Sequence, residues 1–498
     1  MSAVPANWIS AIIGYIFKGV NNQNVTPNLP MRIAVLCEAN TANQSSLSTD
    51  EWEATSLRAV GQRYGYGSPA YSIARIMLPV LQGIPLVFYP QAEAVGATSK
   101  EITITVTGTA TENATHSIFI AGRDGVDGQY YNITVQTGDT AADVHDKITA
   151  AITAVLGAPV LATNTDYVAT LESKWKGLTA NEIIASVDTN GKDAGLVYTI
   201  NNTSQAGAGT PSISAALALF GNKWNTMAVN SYGLVPSIMS TLEAFNGIPD
   251  PEVPTGRYAG IVMKPFIAFS GSVLEDPSSI TDPRAAEVTI VASPAPNSEG
   301  LSFEAAANRC AKHARISQDN PALDPINSSD VDMPTPLEIG VMADATERNR
   351  IVQLGCSTVD LINGKYQVKD SVTTFHPDGE LNPVFRYTRD LIAMWNIRYG
   401  YYLLEQQYVV GKIICRDEDK VDNDDIIKPM MWISIVEEYF KTLISRGIIT
   451  DLAFSKASLS VTISSTNPNR FDTSFSTKLT GIARVSSTEN EVGFNFTN

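Results

Sequence analysis

Apolar and polar positions alternate most clearly around Tyr366, Val368, Val372 and Thr374, which predicts a strand with one buried face. His376-Pro377-Asp378-Gly379 follows as turn chemistry, because proline fixes φ and glycine accepts positive φ. Asn382 is then placed to cap a helix with Pro383 in its first turn. Val384, Tyr387, Leu391, Met394, Trp395 and Arg398 recur at helical spacing along one stripe. A buried strand is thereby tied to a long amphipathic helix.

The same pattern divides the rest of the chain. Residues 1–30 pair a short apolar run with Asn21-Asn22-Gln23-Asn24, Pro27 and Pro30, and read as an extended arm. Residues 31–98 begin an α/β core. Ile33–Cys37 and Ile84–Tyr89 suit buried strands, Ser48-Thr49-Asp50-Glu51 has capping-box spacing ahead of a helix carrying Trp52, Leu57 and Val60, and Ser68-Pro69 opens a further helix. Residues 99–206 shift to threonine-rich alternation at Ile102–Val106, Ser117–Ile120, Tyr131–Val135, Tyr167–Leu171 and Ile183–Val187. Thr140 and Asp143 open one helix among these strands, which makes an inserted, β-rich α+β domain. Past a flexible Gln205–Gly209 linker the core resumes over 207–345, with helices at Ile213–Phe220, Ser237–Phe245 and Phe303–Ile316 and strands at Trp224–Val229 and Glu287–Ala292. A C-terminal α/β domain over 346–485 adds a helix from Met431 to Arg446, stopped by Gly447, and strands at Leu459–Ile463 and Leu479–Val485. Residues 486–498 form a second arm. The fold class is an α/β core with an inserted α+β domain and extended arms at both ends.

Composition narrows the functions. The 498 residues carry a net charge of −16 with no clustered Lys and Arg, which argues against direct nucleic-acid binding. No segment reads as a signal peptide or membrane anchor, so folding in a reducing cytoplasm is expected. Cys37, Cys310, Cys356 and Cys415 lie far apart and read as buried thiols. His116, His145, His313 and His376 stand in no metal-ligand or triad spacing, and no phosphate loop or nucleophile elbow occurs. The run Asp417–Asp425 lacks the glycine and glutamate of a calcium loop and reads as a solvated acidic loop, and Asp319–Asp332 reads as a surface loop. Neither a metal nor a cofactor is expected.

Several phrases resemble a known family. Gly355-Cys356-Ser357-Thr358, Val372-Thr373-Thr374-Phe375 and Phe385-Arg386-Tyr387-Thr388-Arg389-Asp390 are similar to the C-terminal core of contractile-tail sheath proteins of the Mu-like myophage type. Tyr64–Ser68, Val135–Thr140 and Lys176–Ile183 extend the resemblance through the core and the insert. It implies a virion-tail subunit, assembled in the host cytoplasm as stacked six-fold rings of neighbouring copies around a tail tube protein, with baseplate and tail terminator proteins as further partners. Each subunit would lend terminal strands to its neighbours, Ile13, Tyr15 and Phe17 from the first arm and Val492, Phe494 and Phe496 from the last. The insert would lie on the outer surface of the tail. Lys441 and Arg446 are candidates to face an acidic tube. A cytosolic α/β enzyme with a β-rich binding insert stands as the alternative.

Overall fold

The computed structural model describes residues 27–165, 167–259, 263–326, 330–336, 344–380 and 383–490. The candidate arm residues and Asn382 lie outside them. The chain divides into two compact units: residues 30–394 with the segment from Ile482, and the first residues up to Leu29 with Trp395–Gly481.

The larger unit is built on a six-stranded sheet in the order Ile290–Pro294, Ile267–Ser272, Met227–Asn230, Ile33–Glu38, Leu86–Gln91 and Trp52–Glu53. The neighbours run parallel except the last pair, which is antiparallel. Helices cover such a sheet on both faces, which explains why its strands are continuous apolar runs and not alternating ones. Leu36, Tyr89, Phe220, Met239, Leu242, Phe266 and Ile290 share one buried core. The helix Ser302–Asp319 approaches closely through Ala305, Ala306, Ala307 and Ala311. Its first turn explains a glycine within a strand, because a Cβ on Gly271 would stand 1.7 Å from the Ser302 carbonyl oxygen.

The insert carries a four-stranded antiparallel sheet, ordered Leu196–Gln205, Ser99–Gly108, Val168–Lys176, Val160–Thr165, and a three-stranded sheet of Ala185–Asp188, Ala114–Ile120 and Ile133–Val135. Ile102, Ile104 and Val106 point inward as their alternation requires. Thr140 and Asp143 form a reciprocal capping box for the helix Ala141–Ala154.

The Gln205–Gly209 stretch is not a loose linker. Thr98 and Ala208 exchange backbone hydrogen bonds of 3.0 and 3.2 Å, and the Asn181 side chain brackets Gly207 at 2.7 and 2.8 Å. Glu304 receives Arg75 of the core and Arg123 of the insert, each at 3.0 Å, while Glu182 accepts the Ser302 amide at 2.6 Å and so caps a core helix from the insert. Lys174 of the insert donates to the Leu156 carbonyl at 2.9 Å and to that of Tyr66 at 3.3 Å, and burial lowers its pKa to about 8. The Tyr64–Ser68 phrase is therefore a socket for the insert. A Cβ on Gly67 would fall 2.0 Å from the Ala158 carbonyl oxygen.

Other expectations are corrected. The Ser48–Glu51 box caps nothing; Trp52 pairs with Phe88 in the sheet and its ring meets Tyr64 at 5.9 Å, so the helix starts at Leu57 behind Ser56. The strand at Tyr366 ends at Asp370, and the next helix starts at Thr388, not in the turn of Pro383. Residues 383–387 are held in a turn instead, with Thr373 donating its amide to Arg386 O at 2.7 Å and Val372 bridging Tyr387. In the 319–332 stretch Asp324 is buried and Asp330–Val331 pair with Tyr366 and Gln367.

In the smaller unit the later turns of the Thr388–Tyr408 helix meet the helix Pro429–Ser445, where Tyr439 donates its hydroxyl to Ile397 O at 2.8 Å. Tyr401, Trp432, Phe440 and Phe475 form an aromatic cluster with ring centroids 5.1 to 5.7 Å apart. Among the described residues the unit also holds three two-stranded pairings: Ile413–Ile414 with Ile426–Ile427, Ile449–Thr450 with Lys478–Leu479, and Ser460–Ile463 with Phe471–Ser474.

Candidate assembly surfaces

In a doubly wound sheet a ligand site belongs at the carboxyl ends of the strands where the order reverses. Here that point lies between Ile33–Glu38 and Met227–Asn230, and the protein's own side chains fill it. Asn230 donates to Gly233 O at 2.8 Å and Ser270 Oγ at 2.9 Å, and Tyr232 donates to Gln91 Oε1 at 2.6 Å. Glu38 is 1% exposed beneath the insert, with Gly177 close above it. Burial, reinforced by the nearby Glu93, raises its pKa to about 8, so it is mainly neutral at pH 7.

The histidines and cysteines serve local structure. His313 is buried between the hydroxyls of Ser317 and Thr388, at 3.0 and 2.6 Å, and burial lowers its pKa to about 4. His145 Nε2 accepts the Val106 amide at 2.9 Å, and His116 meets Tyr198 and the Lys192 carbonyl. All four cysteines are buried, and burial pushes the Cys356 thiol up to about 12. The Asp417–Asp425 loop is exposed and joins the two isoleucine strands. Among the described residues no group of three or more His, Cys, Asp or Glu is placed to hold a metal ion, and no helix is long and apolar enough to cross a membrane.

The six candidate arm residues, Ile13, Tyr15, Phe17, Val492, Phe494 and Phe496, lie outside the described residues. The described residues next to each candidate arm have identifiable contacts. On the N-terminal side the Leu29 amide donates to Asn396 Oδ1 at 2.9 Å, a buried bond within the smaller unit. On the C-terminal side the expected Leu479–Val485 strand stops at Leu479, and beyond it Arg484 pairs with Asp324 while its guanidinium lies 3.7 Å from the Tyr387 ring centroid. From Val485 to Asn490 the chain is exposed.

Sequence reasoning missed the open strand edges of the smaller unit. In the Ser460–Ile463/Phe471–Ser474 hairpin each strand has one partner, so among the described residues the outer edge of each is unpaired. The signal was Asn467-Pro468-Asn469 between two strand-forming runs; Asn467 Oδ1 accepts the Asn469 amide at 3.0 Å. The isoleucine pair likewise ends in open edges.

No family model matches the chain. It is 30% identical over 172 residues to the Mu-like prophage FluMu tail sheath protein of Haemophilus influenzae, and the match spans 34% of each chain. Over that stretch the chain is similar to this Mu-like tail sheath protein. It covers about a third of that sheath protein's length. Among solved structures, a sheath tail protein of Desulfitobacterium hafniense is similar at 12% identity, covering 90% of this chain and 93% of that one with a TM-score of 0.43. One of Listeria innocua gives 12%, 92%, 93% and 0.43. Likeness of that size is too slight to carry an argument.

The residues expected to face a tail tube lie at the end of the Pro429–Ser445 helix. Lys441 is exposed and pairs with Glu438 one turn back at 2.7 Å. Arg446 follows the last helical residue and is half-buried, and burial lowers its pKa. Its position after the last turn complements the helix dipole, which gives it a local role independent of any tube.

Proposed function

We propose that this chain is a structural subunit of a contractile tail sheath and not an enzyme. It polymerises as stacked hexameric rings around a tail tube and contracts to drive the tube through a host envelope. The identity to a tail sheath protein carries this conclusion. Strand edges unpaired among the described residues, in the unit that also holds Leu29, support the strand exchange.

Each subunit would lend its N-terminal strand (Ile13, Tyr15, Phe17) and its C-terminal strand (Val492, Phe494, Phe496) to such edges on neighbours. A backbone hydrogen bond nets about 0.5–1.5 kcal/mol, so three or four of them with two buried aromatic side chains contribute several kcal/mol per link. Links of that kind persist while the bodies rearrange. No nucleotide is required, because a bias of a few kcal/mol per subunit becomes decisive when many are coupled. The tube, baseplate and tail terminator are the further partners, with assembly in the host cytoplasm and the insert on the tail's outer surface.

Truncation after Glu489 tests the exchange: a folded monomer that forms no striated cylinders in electron micrographs is expected, and long sheaths from the truncated chain refute it. For the tube-facing surface, reversing Lys441 and Arg446 to glutamate should weaken co-assembly with tubes while leaving the subunit folded. Unchanged assembly on tubes removes those two residues from the interface.

A further inference from the structure

Both chain connections between the core and the insert cross at one place, over the end of the Ile33–Glu38 strand. Thr98 and Ala208 pair there, the Gly177 amide donates to Thr98 O at 3.1 Å, and the Leu178 amide donates to Gly209 O at 3.0 Å. The crossing is close-fitted: a Cβ on Gly207 would stand 2.4 Å from Gly177 O, and Gly177 and Gly209 hold φ of +122 and +102. It is also thin, because Thr98, Leu178 and Ala208 are exposed while Glu38 below is buried. A Cβ on Gly177 would lie 3.6 and 3.7 Å from the two Glu38 carboxyl oxygens, so this residue covers the carboxyl. Nothing beneath the cover offsets a negative charge. Glu93 stands nearby and repels, Cys37 precedes Glu38 as a buried thiol, and Tyr232 donates its hydroxyl to Gln91 Oε1 at 2.6 Å. From the insert, Lys176 turns to Glu93 at 3.9 Å and Glu182 accepts the Ser302 amide. Glu38 Oε1 has no hydrogen-bond partner.

We propose that this crossing is a proton-operated lid, shut over a protonated Glu38 and lifted when the carboxyl ionises and water reaches the charge. A carboxylate buried without a donor is costly, whereas the crossing is held by main-chain bonds that water can replace. The insert's other holds on the core, the ion cluster at Glu304 and the Lys174 bonds, do not involve Glu38 and stay in place. With the lid shut, burial and then Glu93 raise the carboxyl's pKa from its ordinary 4.5 to about 8. The lid is therefore most firmly shut below pH 4.5 and loosens as pH rises towards 8. Above that the carboxyl is ionised in both positions, and the preference levels off.

Amide hydrogen exchange of the purified chain at pH 6 and pH 9, each over a range of low urea concentrations, tests the lid. The Gly177, Leu178 and Ala208 amides should exchange through an opening that urea hardly promotes, whereas Val35 and Val229 in the main sheet should require the urea-sensitive unfolding of the whole unit. Corrected for the pH dependence of free amides, the lid opening should become about a hundredfold more frequent from pH 6 to pH 9. Glu38→Gln should abolish that rise. Lid amides that open only together with the main sheet, no rise with pH, or an undiminished rise in Glu38→Gln overturns the proposal. Should Glu38→Gln fail to fold, the parent's own profile decides. Its lid opening should gain about tenfold per pH unit up to pH 8 and level off above; a profile still climbing at higher pH assigns the ionisation to Cys37 or Tyr232 and overturns the role of Glu38.

Discussion

Glu38 makes the stability of the larger unit fall with rising pH. Its carboxyl sits at the carboxyl end of the central strand, 1% exposed, with Glu93 nearby and no hydrogen-bond partner for Oε1. Its pKa rises from 4.5 to about 8, chiefly through burial. The folded chain therefore holds a proton that the unfolded chain releases. The associated stability is complete below pH 4.5, declines through the window between and is gone above pH 8. A shift of that size corresponds to roughly 5 kcal/mol, of which roughly 3 is already lost at pH 7. Glu38→Gln keeps the shape and has nothing to titrate. Any cost of an unpaired amide is constant with pH, so the difference between the two proteins isolates the carboxyl. Glu243 and Asp324, raised by burial to about 7 and about 6, remain in both and cancel. Urea unfolding of the two proteins from pH 5 to 9, followed by tryptophan fluorescence, should show the variant gaining steadily on the parent as pH rises. Parallel curves would refute the assignment of a buried neutral carboxyl.

Arg484→Ala strands the Asp324 carboxylate, whose side chain is 1% exposed, and should cost about 3–5 kcal/mol at pH 8 and much less at pH 5, where protonation relieves it. Thermal unfolding at the two pH values checks this, and an equal loss at both contradicts it. Gly271→Ala places a methyl group 1.7 Å from Ser302 O and should destabilise the core by several kcal/mol, read as a lower urea midpoint. A neutral result would mean that the Ser302–Asp319 helix can shift off the sheet.

Local chemistry was legible wherever one segment decided its own structure. The Ile33 and Leu86 strands follow from continuous apolar runs, and Ser68-Pro69 and Thr140/Asp143 cap their helices as written. Misreadings arose where a distant partner outbid a local signal. Trp52 left its capping-box helix because an aromatic cluster with Tyr64 and Phe88 was available. Pro383 does not start a helix because Thr373 and Val372 hold the following residues. Asp324 looked like loop surface because its partner lies 160 positions away. The open edges of Ser460–Ile463 and Phe471–Ser474 were out of reach for the same reason, since they emerge only from how those two strands pair.

The distribution of closed and open edges separates what must stay rigid from what must find partners. In the larger unit the main sheet's Ile290–Pro294 edge is closed, since Thr374 donates its amide to Ile290 O at 3.0 Å. The insert is clamped by a three-member ion cluster at Glu304, a capped helix at Ser302 and two backbone bonds at Thr98. Buried charge clusters are costly to form and more costly to break, so they fix orientation in preference to adding net stability. The smaller unit is the reverse, because among the described residues its sheets hold two strands each, a number marginal in isolation, beside one aromatic cluster. A monomer would gain from closing such edges within itself. Under the strand exchange proposed above, strands from other copies would complete them, and the demand for partners would fall in the unit that holds Leu29.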